Sequence, residues 1–247
     1  MKISFVILSI GDKEEKLKLC INSIHRNFLN KDDYEIVLVG NNIDFIHDDS
    51  VTKIIDEEFV EFLGKRKNIG TENSQGDILV HCDDDIIFPA DWYVNFKRYN
   101  NKENSWRILG HKILLPDGNR HWDRATFLPI HRMVPYNYTS KSDTFYQTGG
   151  FSICKKDLLK EVSWDNNIPF YGMFKGFQHN EDIDFSLRLK EKGIDIFFDP
   201  NNTVWHYDFS YHSDNITCNK KKKIGDIQYK HIDFILAMDS LQKIKNK

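Results

Sequence analysis

Along the first hundred residues, short unbroken apolar runs alternate with apolar residues at helical intervals, the pattern of buried strands separated by amphipathic helices. Ile3-Ser4-Phe5-Val6-Ile7-Leu8 forms the first strand on this reading, and Leu17, Cys20, Ile21, Ile24 and Phe28 then share one helical face. Glu35-Ile36-Val37-Leu38-Val39 is a second strand, ending at Gly40-Asn41-Asn42, and Val51 to Ile55 is a short third. A helix is expected over Glu57 to Ile69. After the Gly76-Asp77 turn, Ile78-Leu79-Val80 starts another strand, and Pro89-Ala90-Asp91 suits the first turn of a following helix. This β-α-β rhythm predicts an α/β fold with a mostly parallel sheet of nucleotide-binding type.

Past residue 100 the pattern loosens and aromatic residues crowd in, with long loops expected between them. Pro116-Asp117-Gly118-Asn119 predicts a turn, and Gly149-Gly150 introduces the strand Phe151-Ser152-Ile153-Cys154. Asn180 stands at the N-cap of a helix reaching about Lys192, with Ile183 and Leu187 on one face and Gly193 as its stop. Ile194 to Phe198 and Thr203 to Trp205 complete the sheet. A basic run at Lys220 to Lys223 then precedes an apolar stripe from Ile224 to Ile244 at helical spacing.

The expected organisation is one domain over residues 1–215, with a nucleotide-binding half to about 100 and an acceptor half over 101–215, followed by a basic amphipathic helix over 216–247. That helix is expected to dock on its own domain, with a homodimer contact or peripheral attachment to an anionic membrane face as alternatives.

Composition narrows the class. A chain of 247 residues, 40% hydrophobic and 29% charged, has ordinary globular balance, and a net charge of -3 offers no general attraction to nucleic acid. The four cysteines, Cys20, Cys82, Cys154 and Cys218, lie far apart with no zinc-ribbon or C-x-x-C spacing, so reduced thiols and a cytoplasmic setting are expected. The stretch Lys2 to Ile10 is too short and too soon followed by acidic residues for a signal peptide, and no apolar run approaches membrane-spanning length.

The chemistry concentrates where Asp83, Asp84 and Asp85 end a buried-type strand. Three adjacent carboxylates repel one another unless a cation joins them, and strand ends of open α/β sheets are where ligands bind. The competing reading is an acidic turn solvated by water. Glu181-Asp182, in the first turn of the later helix, is a second acidic pair. It either complements the helix dipole or, with the dipole holding Asp182 ionised, supplies a general base.

An ordered set of segments resembles the GT-A fold nucleotide-sugar glycosyltransferases of the family 2 type. The segments are the strand ending at Ser9, Lys67-Asn68-Ile69-Gly70, Gly76-Asp77 leading to Asp83-Asp84-Asp85, Thr148-Gly149-Gly150-Phe151, Asn180-Glu181-Asp182 through Arg188, and Val204-Trp205-His206. Together they span roughly Lys2 to Tyr207.

The resemblance implies a metal-dependent transferase of the hexosyl or N-acetylhexosaminyl class, moving a sugar with inversion from a nucleotide-sugar, a UDP-sugar by preference, to a glycan, glycolipid or protein acceptor; the alternatives are a retaining transferase on the same fold and a non-catalytic protein that binds a sugar nucleotide or glycan. Asp83 and Asp85 would form its Asp-x-Asp element, with Asp85 the stronger metal ligand, Asp83 a second, Asp84 able to supply either contact, and His206 a third ligand. Carboxylates with one imidazole suit Mn2+ somewhat better than Mg2+. Asp182 would be the base, with Glu181 beside it.

Ser9, Asn41, Lys65, Asn68, Asp83 and Asp84 are implied for the nucleotide, and Gly149 and Gly150 for close approach to the donor sugar, although a plain turn needs glycine equally. Gly40-Asn41-Asn42 departs from the acidic residues common at that position in the family. Lys65 to Lys67 also suit the wet side of a helix. Trp122, between His121 and Asp123-Arg124, is the acceptor-side candidate, in an aromatic region whose other rings are mostly core.

Overall fold

The structure, a computed structural model, describes residues 1–58, 61–126, 132–137, 145–168, 173–174, 177–178 and 180–207. The predicted C-terminal helix over 216–247, with Cys218, lies outside the described residues.

Four strands carry the first half: β1 (Ile3–Ser9), β2 (Tyr34–Gly40), β3 (Val51–Ile55) and β4 (Ile78–Asp83), interleaved with α1 (Glu14–His25) and α2 (Leu63–Glu72). Then come β5 (Ile86–Ile87), α3 (Trp92–Lys102) and β6 (Ile108–Leu114). Short strands β7 (Arg124–Thr126), β8 (Arg132–Met133) and β9 (Phe145–Gln147) form a separate antiparallel sheet. The chain continues through β10 (Phe151–Lys155), α4 (Lys156–Glu161), the hairpin β11 (Met173–Phe174) and β12 (Phe177–Gln178), α5 (Glu181–Glu191) and β13 (Ile196–His206).

Eight strands make the main sheet in the order β3-β2-β1-β4-β10-β6-β13-β5, in which β10 and β5 run against the others. Successive side chains of a strand point to opposite faces, so a strand covered on both sides must be apolar throughout. β1 shows this directly. Phe5 and Ile7 join Leu17, Cys20, Trp92 and Phe96 of α1 and α3, while Val6 and Leu8 meet Leu63 and Ile69 of α2. Farther along the α2 side of the sheet, Leu158 and Leu159 of α4 pack with Phe185 and Leu189 of α5.

This layering brings loops from distant parts of the chain to one edge. β1 ends at Ser9 beside Gly40 of β2, and Leu8 pairs with Asp83 at the end of β4. Because β10 is antiparallel, its entry at Phe151 lies opposite Cys82, placing Gly149-Gly150 at the same edge. β13 delivers His206 there, paired with Ile86.

Three local expectations change. α2 begins at Leu63 rather than Glu57. β6 went unpredicted because Gly110, His111 and Lys112 interrupt its apolar run, and its polar centre is accommodated by Trp92, whose Nε1 donates to His111 Nδ1 at 3.1 Å. Asn180 occupies the N-cap position of α5 without a capping side-chain hydrogen bond, whereas Gly193 does end the helix in the left-handed region at φ 69°. The turn after Leu115 forms as expected, with the Gly118 N–H donating to the Leu115 carbonyl at 2.8 Å.

Candidate active site

At the end of β4 the chain turns through Asp84 and Asp85 before entering β5, so three carboxylates leave the sheet together. Asp83 Oδ, Asp85 Oδ and a ring nitrogen of His206 all lie within 4.8 Å of one another. His206 Nε2 stands 3.5 Å from Asp85 Oδ1, which is buried and accepts no hydrogen bond. A buried carboxylate oxygen without a donor is costly, and a divalent cation would satisfy it. The residues therefore fit a metal, and carboxylate with imidazole is a donor set that suits Mn2+.

Lys13 Nζ stands 3.4 Å from Asp85 Oδ2 on a half-buried side chain. The His206 ring also stacks on that of His121, with centroids 4.2 Å apart and planes 23° from parallel. Sequence patterning had marked His121 only as a neighbour of Trp122.

Burial, then the neighbouring Asp85, push Asp83 up to about 6, while Lys67 pulls the other way. Asp84 is also pushed up to about 6 by burial and by Asp85 and Asp83, although Ser9 donates to its Oδ2 at 2.6 Å. Crowded acids that resist ionisation are what a cation would relieve.

A second cluster occupies the ends of β1, β2 and β3. Arg66 is buried and spans the Ser9 carbonyl, 2.9 Å from Nη2, and the Asp56 carboxylate, 2.9 Å from Nε. Asn41 is nearby in the chain order of this edge, with its Oδ1 buried and accepting no hydrogen bond. Lys65 is half-buried. Asn68 braces the scaffold: its amide donates to the Trp164 carbonyl at 2.8 Å and to Asn166 at 2.7 Å, and its Oδ1 accepts from the Trp164 N–H.

Arg66 and Lys67 overturn the solvated-face reading of the basic run. Lys67 is 2% exposed, 2.8 Å from Glu181 Oε1 and 3.2 Å from the Gly149 carbonyl, with its ammonium 4.2 Å above the Trp164 ring. Burial alone would lower the Lys67 pKa, but Glu181 and then Asp83 and Asp182 outweigh it and leave the group above its ordinary value. A basic run at helical spacing carries no signal that its acidic partner lies over a hundred residues downstream.

Asp182 in the first turn of α5 accepts from the Gly149 N–H at 2.9 Å and from its neighbour Ile183 at 2.8 Å. Burial and the adjacent Glu181 nonetheless push it up to about 7, against Lys67 and these N–H donors. Burial and Glu181 thus oppose the helix end and the N–H donors that favour the ionised carboxylate.

Gly149-Gly150 threads between the carboxylates. A Cβ on Gly149 would stand 2.8 Å from Glu181 Oε1, and one on Gly150 2.9 Å from Asp83 Oδ2. Neither glycine has a positive φ, so closeness rather than turn geometry explains them. Trp122 packs with Ala125, Tyr146 and Ile183, and its Nε1 donates to the Tyr146 hydroxyl at 2.5 Å.

A curled, mainly parallel sheet carrying a carboxylate cluster at the end of a central strand is the GT-A type of fold, mixed α/β, as the sequence predicted. The solved structures it resembles are GT-A-type glycosyltransferases. TarS residues 1–349 from S. aureus matches with a TM-score of 0.62 at 15% identity, over 84% of this chain and 60% of that one. GalNAc-T7 bound to UDP, GalNAc and Mn2+ matches with a TM-score of 0.65 at 18% identity, over 84% of this chain and 44% of that one. The same TarS fragment in complex with UDP-GlcNAc matches with a TM-score of 0.58 at 14% identity, over 84% and 59%. The chain thus spans 60% or less of the length of each of these proteins. No protein-family model matches the chain, and no curated protein matches its sequence. Among the described residues no helix is long and apolar enough to cross a membrane.

Proposed function

We propose that the protein is a metal-dependent glycosyltransferase that moves a sugar, with inversion, from a UDP-sugar to a hydroxyl of a glycan, glycolipid or protein acceptor. The observation that carries this reading is the convergence of Asp83, Asp85 and His206 on one point, with Asp182 held across the Gly149-Gly150 dipeptide. The printed ligands of the similar structures, UDP, UDP-GlcNAc, GalNAc and Mn2+, support the donor class and the metal.

Asp83, Asp85 and His206 would hold the cation, Mn2+ by preference, which when bound neutralises charge on the departing diphosphate. Ser9, Asn41, Lys65 and Asp84 would face the nucleotide, the buried Asn41 Oδ1 offering an acceptor to a base edge. Gly149 and Gly150 leave room for the sugar. Asp182 takes the proton from the acceptor hydroxyl as that oxygen bonds to the anomeric carbon. The bond from that carbon to the diphosphate oxygen breaks on the opposite side, and its electron pair leaves with the nucleoside diphosphate. Glu181 keeps Lys67 in place beside the base, and Trp122 stands on the acceptor side.

The test is transfer from UDP-, GDP- and dTDP-sugars by the purified protein with Mn2+, with EDTA, and in Asp182→Asn. Turnover with a UDP-sugar that EDTA abolishes and Asp182→Asn lowers by about 100-fold or more is expected. A product of retained anomeric configuration by NMR would remove Asp182 from the role of base, and binding of the donor without any transfer would make the protein a glycan or nucleotide-sugar receptor.

A further inference from the structure

We propose that Lys67 is a positioning residue for the base: its ammonium clamps Glu181 and the Gly149 carbonyl, so that the Gly149 N–H holds the Asp182 carboxylate toward the acceptor. This rests on the transferase reading above. The geometry joins the two side chains through one residue, Gly149, whose carbonyl and N–H lie in successive peptide units. Lys67 Nζ is 2.8 Å from Glu181 Oε1 and 3.2 Å from the Gly149 oxygen, and the N–H of that same residue donates to Asp182 Oδ2 at 2.9 Å. All three side chains are buried, and the ring of Trp164 lies under the ammonium at 4.2 Å, so Lys67 has little freedom to leave.

A lysine in this position answers a definite electrostatic need. Lys67 of α2 faces Glu181 and Asp182 of α5 and Asp83 at the end of β4, with Gly149-Gly150 running between them. Three carboxylates thus share a pocket with one buried ammonium. The other titratable groups beneath it, His81 and Cys154, contribute no compensating charge, since burial drives the imidazole down to about 3 and the thiol up to about 12. Lys67 makes its hydrogen bonds and ion pair to Glu181 and Gly149, on the side of the proposed base, while its charge also reaches Asp83.

Three variants decide the matter: Lys67→Met, Lys67→Arg, and Lys67→Met combined with Glu181→Gln, the last relieving the buried charge that the single change strands. Lys67→Met is expected to lower kcat by about 100-fold, since small misplacements of a reacting group have effects of that size, with the donor KM within about twofold of wild type. Lys67→Arg is expected to recover at least about tenfold of that loss. The double variant should regain the melting temperature but not the rate. A carboxylate 13C titration read without turnover should show Asp182 taking its proton at a higher pH in Lys67→Met, because the ammonium that opposes protonation is gone. Wild-type kcat in the double variant, or an unchanged titration in Lys67→Met, overturns the proposal. If the wild-type protein transfers no sugar the transferase reading fails instead, and the titration still decides whether Lys67 governs the Asp182 carboxylate.

Discussion

At the scale of single residues, the chain keeps an unusual amount of charge out of water at one sheet edge, and each buried group has an identifiable reason to be there. Asp182 is the most consequential. On the proposal that Asp182 is the base it must be deprotonated to act, and burial with the adjacent Glu181 pushes it up to about 7, so proton uptake below that pH would remove it. The rate kcat/KM is expected to fall with a slope near one as the pH drops below about 7. A pH-rate profile checks this, and any activity remaining in Asp182→Asn should lack that limb. Linkage gives the sign for stability: the folded chain favours the protonated form, so this group's stabilising contribution is full below the ordinary carboxylate value of 3.8 and is lost as pH rises through about 7.

The residue scale also shows the limit of a pattern reading. Asp83, Asp85 and His206 are singled out in the sequence because their order along the chain resembles a known arrangement, and the structure brings one ligand atom of each within 4.8 Å of the others. Arg66 and Lys67 were legible only as a basic run. Their burial follows from Asp56 and Glu181, partners that no local periodicity connects to them.

At the scale of elements, α2, β4, β10 and α5 bear the site, and their packing tolerances differ. A Cβ on Gly70 in α2 would lie 2.2 Å from Val6 Cγ1 and 3.2 Å from Val39 Cγ2, inside the sheet contact. Gly70→Ala is therefore expected to cost about 1–3 kcal/mol in denaturant unfolding, with Mn2+ affinity unchanged. Gly150→Ala crowds Asp83, a proposed metal ligand, instead, with its Cβ 2.9 Å from Asp83 Oδ2. Calorimetry should find its Mn2+ binding weakened by about tenfold, a loss typical when a group orienting a ligand is disturbed.

The strand elements were largely readable because β1, β2 and β4 are covered on both faces and so appear as unbroken apolar runs. β6 was not, because its polar centre is matched by Trp92 of a neighbouring helix. The start of α2 was misplaced because it has no side-chain cap to mark it.

At the scale of the whole molecule, the site is a meeting of loops from residue 9 to residue 206, so ligands that bridge them should stabilise the entire domain. Mn2+ with UDP at about a hundredfold above the dissociation constant is expected to add about 2.7 kcal/mol. For a chain of 247 residues this raises the melting temperature by about 5 to 10 °C, and excess EDTA should reverse the metal-dependent part. Differential scanning fluorimetry reads both, and no shift with any nucleotide would remove the nucleotide from the account.

By itself, the sequence determined the alternation of strand and helix, the strand that ends in three aspartates, and the acidic first turn of α5, because each is written in the spacing of neighbouring residues. Only the tertiary structure decided that Lys67 meets Glu181, that Gly149-Gly150 runs between two carboxylates, and that His121 stacks on His206. The physical reason is range. Periodicity records which face of an element is hidden, whereas the partner of a buried charge is chosen by how the layers stack, across separations of about a hundred residues that leave no trace in local pattern.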